Sequence, residues 1–326
     1  MAIVERFARE IRFLSGLGRT LAAVREIEPD SDTLICDDFE TAVDRFADHT
    51  ALIFEGERLT YRQLDALANR FAAWADAAGV KRGETVAVFL PNRAEYVPAW
   101  AGLAKVGVAA ALINNNLTGA ALAHCLSISG ADHVITDAET AHALGSIRQG
   151  LPRPLSVWLI DGAPDEHQRK LDLKEPKLAP ERPPRARRAG LKARDVALYI
   201  YTSGTTGLPK AAKITHTRAQ LYMRAFAGAT NAKPDDVLYC ALPLYHSTGG
   251  LCGVGAALLR GATLVLRRKF SVTHFWDDIN QHGCTIFVYI GELCRYLVNH
   301  EVQPGETTHK LRLAFGNGMR PEVWEE

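Results

Sequence analysis

Apolar and polar positions along the chain fall into short runs that predict alternating strands and helices. Residues 51–54 and 58–60 flank a Glu-Gly-Glu turn and predict a hairpin. Thr60 followed by Gln63 predicts a capping box that opens a helix ending at Gly79. Apolar runs at 85–89, 109–113, 133–136 and 156–160 then alternate with amphipathic stretches near 94–106, 118–129 and 138–149. That alternation predicts an α/β unit with largely parallel strands flanked by helices. The rhythm breaks over 163–194, a stretch rich in proline and charge, and resumes with runs at 196–201, 237–241, 263–266, 285–289 and 311–315. The pattern therefore predicts an amphipathic helix and lead-in over 1–37, a first α/β subdomain over 38–162, a solvated basic linker over 163–194 and a second α/β subdomain over 195–326. Residues 321–326 read as the opening turn of a helix, with Pro321 early and acids at the positive end of the dipole, so the fold is expected to be incomplete at its C-terminus.

The first helix places Ile3, Val4, Phe7, Ile11 and Leu14 among Glu5, Arg6, Arg9, Glu10 and Arg12, amphipathic spacing without a secretory apolar core. Docking on its own domain is the simpler expectation for it, and lying in a membrane interface is the alternative. The long uncharged span 237–259 contains Pro243, Tyr245, His246, Ser247 and Thr248, so it reads as buried protein and not as a membrane helix.

Composition changes this picture in two places. The 38 basic side chains almost cancel the 37 acidic ones, which removes any global field for nucleic acid and makes every anion site local. Six cysteines without a Cys-x-x-Cys pair suit a reducing, cytoplasmic setting and give no support to structural zinc. Residues 181–194 hold six basic side chains against one acidic, and an inert connection is the simpler reading of them than a phosphate or lipid patch.

Candidate chemistry is concentrated in Thr202-Ser203-Gly204-Thr205-Thr206-Gly207-Leu208-Pro209-Lys210, entered from the apolar run ending at Tyr201. Gly204 and Gly207 allow close backbone approach, the hydroxyls of Thr202, Ser203, Thr205 and Thr206 donate, and Lys210 adds positive charge. Those are the requirements of a polyphosphate. The spacing is not that of a P-loop, because Pro209 stands where the second glycine would be and Ala211 follows the lysine where a hydroxyl is needed.

This loop, with Ala211, Ala212, His216 and Arg218 after it, resembles the AMP-binding motif of adenylate-forming enzymes. The stretch from Leu242 to Gly250 resembles that family's second core motif, with its aromatic-His pair Tyr245-His246. Phe275 to Asp278, Tyr289 to Leu297 and Gly316 to Arg320 resemble one branch, the fatty acid transport protein / very long-chain acyl-CoA synthetase group. The resemblance runs from about Asp38 to the end and implies an acyl-CoA synthetase-like N-terminal domain. It further implies that Thr202 to Lys210 holds the phosphates of ATP, that His246 sits between carboxylate and nucleotide, that Tyr289 to Leu297, including Gly291 and Glu292, borders the acyl tunnel, and that Gly316, Asn317, Gly318 and Met319 pass along the adenine. ATP, Mg2+ and CoA are the implied cofactors, and the magnesium and ribose ligands are expected beyond Glu326.

On that basis Lys210 stabilises charge on the transferring phosphoryl group, and His246 positions the carboxylate without acting as a base, since the acid is already ionised at neutral pH. Tyr245 and Tyr289 fit acyl contact or core equally well, and Glu292 with Arg295 fits acyl contact or a surface ion pair. The expected function is ATP-dependent activation of a long- or very-long-chain fatty acid to acyl-AMP and then acyl-CoA, by a ligase of the cytoplasm with peripheral membrane contact as an option. A fatty-acid uptake or binding protein without turnover, and a ligase for another carboxylic acid, are the alternatives.

Overall fold

The computed structural model describes residues 2–175, 177–178, 180–202 and 207–324. In chain order these build α1 (Ala2–Val24), α2 (Ile35–Phe46), β1 (Thr50–Phe54), β2 (Glu57–Thr60), α3 (Tyr61–Ala77), β3 (Thr85–Phe89), α4 (Tyr96–Lys105), β4 (Ala109–Leu112), α5 (Gly119–Ser129), β5 (His133–Thr136), α6 (Ala138–Gly145), β6 (Ser156–Leu159) and β7 (Gln168–Lys170). There follow β8 (Val196–Thr202), β9 (Lys210–Thr215), α7 (His216–Thr230), β10 (Val237–Cys240), α8 (Val254–Leu258), β11 (Thr263–Leu266), α9 (Phe275–His282), β12 (Ile286–Ile290), α10 (Gly291–Val298), β13 (Leu313–Asn317) and α11 (Pro321–Trp324). The α/β class expected from the alternation is what the chain forms. Thr60 caps α3 as its pairing with Gln63 requires: its hydroxyl accepts from the Gln63 N–H and its own N–H donates to the Gln63 side chain.

Two sheets result, one ordered β7-β6-β5-β3-β4-β8-β9 and the other β13-β12-β10-β11-β1-β2. All neighbours are parallel except β8 with β9 and β1 with β2, so each sheet closes on one antiparallel edge strand. Each sheet draws strands from both sides of a sequential boundary. β1 pairs in parallel with β11 through Leu52 and Leu264, while β8 and β9 join the sheet begun by β3. The sheets are therefore not the sequential units 38–162 and 195–326, because period-2 patterning marks a strand without naming its partner.

Helices α2, α3 and α4 fill one side of the main core with Phe39, Phe71 and Trp100. Gly102 is needed there, since a Cβ at that position would stand 2.1 Å from the Ala68 carbonyl oxygen. The segment 163–194 is not a solvated linker. Lys105, fully buried, donates to Asp65 and Asn69 and lies 3.2 Å from Glu40. Arg182 then reaches Asp65 at 2.8 Å, and Arg188 reaches Asp37 at 2.8 Å and Glu40 at 2.6 Å. The segment is a strap sewn to the helices by ionic contacts, which have no period and so leave no apolar pattern. Three further cations near its end are also engaged, Arg187 with Asp76, Lys192 with Asp32 and Arg194 with Asp30.

Helix α1 crosses α7. Arg19 Nε donates to the Gly228 carbonyl at 3.2 Å, and a side chain at Gly228 would meet the α1 backbone at 2.8 Å. The docking expectation holds for this end of the helix, while Ile11, Phe13, Leu14, Leu17 and Leu21 remain exposed. Among the described residues no helix is long and apolar enough to cross a membrane, and all six cysteines are free thiols.

Candidate functional site

In open parallel sheets the loops beyond the carboxyl ends of the strands form the crevice where ligands bind. The motif loops all leave strands at those ends. Thr202 pairs with Lys210 across the antiparallel ladder of β8 and β9, so the hydroxyl-rich loop is the loop of a hairpin. A P-loop leads its strand into a helix, so this topology agrees with the sequence argument against one. Ser203, Gly204, Thr205 and Thr206 lie outside the described residues. Gly207 has φ of +95°, a conformation suited to glycine, and Thr202 and Lys210 are solvent-exposed at the mouth of the hairpin. Behind it, on α5, His124 Nε2 lies 3.1 Å from the Pro209 carbonyl oxygen.

The second wall is the turn after β10. Asn92, buried in the turn after β3, donates to the carbonyls of Leu242 and Arg267 at 2.9 Å each and accepts from the Leu244 N–H at 2.9 Å. One amide thus clips a turn of one sheet to two turns of the other. The chain then enters a π-helical stretch, Thr248–Gly253, in which a Cβ on Gly250 would stand 2.0 Å from the Leu244 carbonyl oxygen. This close return presents the Tyr245 and His246 rings side by side, with centroids 4.5 Å apart. Asn116 Nδ2, from the turn after β4, donates to the Tyr245 hydroxyl at 3.5 Å. Burial holds the Tyr245 phenol above its ordinary pKa. His246 is accessible at the site, but desolvation lowers its pKa, so the ring is neutral at pH 7.

The third wall comes from β12 and β13. Tyr289 is buried, and a Cβ on Gly316 would lie 2.1 Å from its carbonyl oxygen. Gly291 approaches Gly318 still more closely, at 1.8 Å by the same measure, so the two strand ends meet backbone to backbone. Asn317 Nδ2 donates to Thr248 Oγ1 at 3.2 Å, which joins this wall to the second. Met319 is half-buried against the main core. Glu292 is half-exposed and paired with Arg295, its Oε2 accepting from Nε at 3.0 Å, and this pairing draws its pKa down to about 2.

The structure thus sets Tyr245 against His246 and joins Asn317 to Thr248, while Gly316 packs on Tyr289 and Gly291 on Gly318. Asn92 and Asn116 hold the Tyr245 turn and His124 holds Pro209, and all three were missed in the sequence. Asn92 and Asn116 had a readable signal, a polar residue just beyond an apolar run, whereas His124 meets a carbonyl 85 positions away and had none. Among the described residues no group of three or more His, Cys, Asp or Glu side chains is placed to hold a metal ion.

Comparison with known proteins shows the family and the fold. The AMP-binding enzyme family matches residues 39–326. The chain is 41% identical, over all of its length and 51% of the other protein, to long-chain fatty acid transport protein 1 of Mus musculus. It is 36% identical, over 91% of its length and 49% of the other, to the medium/long-chain-fatty-acid–CoA ligase FadD6 of Mycobacterium tuberculosis. The chain spans about half the length of these curated relatives. The solved N-terminal domain of FACL13 from Mycobacterium tuberculosis superposes with a TM-score of 0.76, covering 90% of this chain and 72% of that one at 24% identity, which shows the shared fold. Family match, fold and the loop cluster converge: the chain belongs to the AMP-binding enzyme family.

Proposed function

We propose that this chain carries the nucleotide- and acyl-binding part of a fatty acyl-CoA synthetase that uses long- or very-long-chain acids. The observation that carries the reading is the similarity, over most or all of the chain, to proteins named for long-chain fatty acid transport and for medium/long-chain fatty acid–CoA ligation. ATP and CoA are the co-substrates on this reading. A carboxylate oxygen bonds to the α-phosphorus as the bridging bond to the β-phosphate breaks, giving acyl-AMP and pyrophosphate. The CoA sulfur then bonds to the acyl carbon, the bond to AMP breaks, and the thiol proton passes to solvent.

Both reactants of the first step are anions, so the site must supply positive charge and fixed donors. Lys210 and the backbone of the hairpin loop do so at the phosphates, with Thr202, Ser203, Gly204, Thr205, Thr206 and Gly207 as its wall. His246, neutral and held beside Tyr245, donates to the carboxylate and orients it. Gly316, Asn317, Gly318 and Met319 pass along the adenine, and Tyr245, Tyr289, Gly291 and Glu292 border the acyl chain. Mg2+ accompanies ATP in such chemistry as a charge-neutralising ion. The described residues offer no cluster of three or more His, Cys, Asp or Glu side chains to hold it.

The test is fatty-acid-dependent ATP–pyrophosphate exchange by the complete protein, with Lys210→Ala as background and acids from acetate to very long chains, together with aryl acids. Exchange that rises with alkyl length and falls by about 3 to 4 kcal/mol of transition-state stabilisation in Lys210→Ala supports the reading. Exchange confined to aryl or short acids replaces it with another carboxylate ligase, and fatty-acid binding without exchange replaces it with a carrier. On the same reading the enzyme is cytoplasmic and meets membranes peripherally through the exposed apolar face of α1, supported by Ile11, Phe13, Leu14, Leu17 and Leu21.

A further inference from the structure

A groove of about 400 Å³ lies between the end of α1, α2 and α7, and Leu259 and Arg260 close its far side. That volume falls within the ~300–1,000 Å³ of small-molecule sites. The groove is not the site described above. Phe46 and Arg260 precede β1 and β11, at the amino ends of the parallel strands, whereas every motif loop follows its strand. The four residues of β11 alone separate the two ends by about 13 Å.

Its lining is amphiphilic. Ala42, Phe46, Ala227 and Leu259 make an apolar wall, and three arginines stand against one aspartate. Asp38 is already saturated: Arg224 Nε donates to its Oδ2 at 2.9 Å, and the Arg224 terminal nitrogen reaches Oδ1. The other two cations differ from most arginines of this chain. Arg45 lies with its guanidinium carbon 5.0 Å from the Phe46 ring centroid, and Arg260 spends its Nε on the Ala227 carbonyl at 3.2 Å. Neither has a carboxylate oxygen within 4.0 Å among the described residues. On the strap, by contrast, Arg182, Arg185, Arg187, Arg188 and Arg194 all meet carboxylates. Arginine orders readily around planar or tetrahedral oxyanions through paired N–H donors. Two such donors above an apolar wall match one chemistry, an anionic head on an alkyl tail.

We propose that this groove is a second binding site, for a single-tailed amphiphile with an anionic head: Arg45 and Arg260 hold the head, and Phe46, Ala42 and Leu259 receive the first part of the tail. The chemistry is common to a free fatty carboxylate and to the phosphate of a lysophospholipid-type lipid. The site is independent of the adenylation reading, and its test does not use turnover.

Titration calorimetry of the complete protein with dodecanoate, dodecyl phosphate and dodecanol, all below micelle formation, decides the matter. Wild-type protein and Lys210→Ala are both expected to bind an anionic amphiphile at the groove. The double variant Arg45→Ala/Arg260→Ala should lose one equivalent of binding or weaken it at least tenfold, and dodecanol should not compete for that equivalent. Both arginines lack ion pairs, so the double variant should keep the wild-type melting transition. If it does not, Arg45→Lys/Arg260→Lys, which keeps the charge but not the paired donors, must still weaken binding severalfold. Tighter binding of dodecanoate names free fatty acid as the source, and tighter binding of the phosphate names a phospholipid-type head. Unchanged stoichiometry and affinity in both double variants, or equal binding of dodecanol, overturns the proposal.

Discussion

His124 and Pro209 are joined by a 3.1 Å contact between an imidazole Nε2 and a main-chain carbonyl, the point at which α5 holds the exit of the hydroxyl-rich hairpin. Pro209 directly precedes Lys210, so this contact fixes the start of β9 and with it the base of the lysine side chain. A carbonyl acceptor requires the proton on Nε2. On the proposed function, replacing His124 by Ala in the complete protein should raise the KM for ATP about fivefold to tenfold, in keeping with the ~1 kcal/mol of one hydrogen bond, and leave the KM for the acid unchanged. His124→Gln, which returns an N–H donor, should restore most of the loss. Steady-state kinetics with each substrate varied in turn checks this, and equal effects on both KM values would assign His124 a general packing role.

Asn92 satisfies three main-chain groups at once, two carbonyls and one N–H, in the turn where the two sheets meet. Removing it leaves the Leu244 N–H and the Leu242 carbonyl buried without that partner. Each group so orphaned costs about 1 to 3 kcal/mol. Asn92→Ala should therefore lower stability by about 2 kcal/mol or more in urea unfolding and reduce turnover beyond that, because Tyr245 and His246 ride on the released turn. Asn92→Asp keeps the acceptor for Leu244 but faces two carbonyls with a carboxylate, so it should be no better than Ala.

The strap gives a different kind of prediction. Arg188 is almost fully buried and shared between Asp37 and Glu40, while Lys105 serves Asp65 and Glu40 from the other side. Deleting one partner of a buried ionic group strands the other charge, which typically costs about 3 to 5 kcal/mol. Arg188→Met should destabilise by that order and release the strap to limited proteolysis within 163–194. A variant with Asp37 also made neutral should recover part of the loss, since Glu40 keeps Lys105 as its partner while Asp37 loses its buried cation.

What was legible in the chain and what was not follows from the kind of interaction involved. The hairpin before α3 and the capping box at Thr60 are local, so residue types within a few positions declared them. The hydroxyl-rich run before Lys210 and the Tyr245-His246 pair stood out by residue type alone, as the phosphate and carboxylate chemistry of the proposed function would require. Strand β9, Lys-Ala-Ala-Lys-Ile-Thr, was not legible: it is an edge strand whose pattern barely alternates and whose first residue is exposed. The placement of β1 beside β11 was equally hidden, because Leu52 and Leu264 are apolar in any arrangement. The strap was misread for the same reason at larger scale. Arg182 and Arg188 find carboxylates more than a hundred positions away, and nothing near them in sequence records it.

His216 supplies a prediction in pH. The ring opens α7, is almost fully buried, and accepts the Ile35 N–H through Nδ1 at 3.4 Å. Burial pushes its pKa down from 6.5 to about 4, because the charged imidazolium would have to be desolvated, and the nearby Asp195 and Asp37 carboxylates offset only part of this. A base with a lower pKa folded than unfolded binds fewer protons in the native state, so stability rises with pH between the two values. The contribution is fully present above about pH 6.5 and is lost progressively as pH falls toward about 4, a difference of about 3 kcal/mol at ~1.4 kcal/mol per pKa unit. His216→Asn keeps an acceptor for Ile35 and removes the titration. Urea unfolding at intervals from pH 7 to pH 4 should show wild type losing stability faster than His216→Asn across this window, with the difference flat above pH 7. Parallel curves for the two proteins would mean that the ring is protonated in the folded state, contrary to its burial.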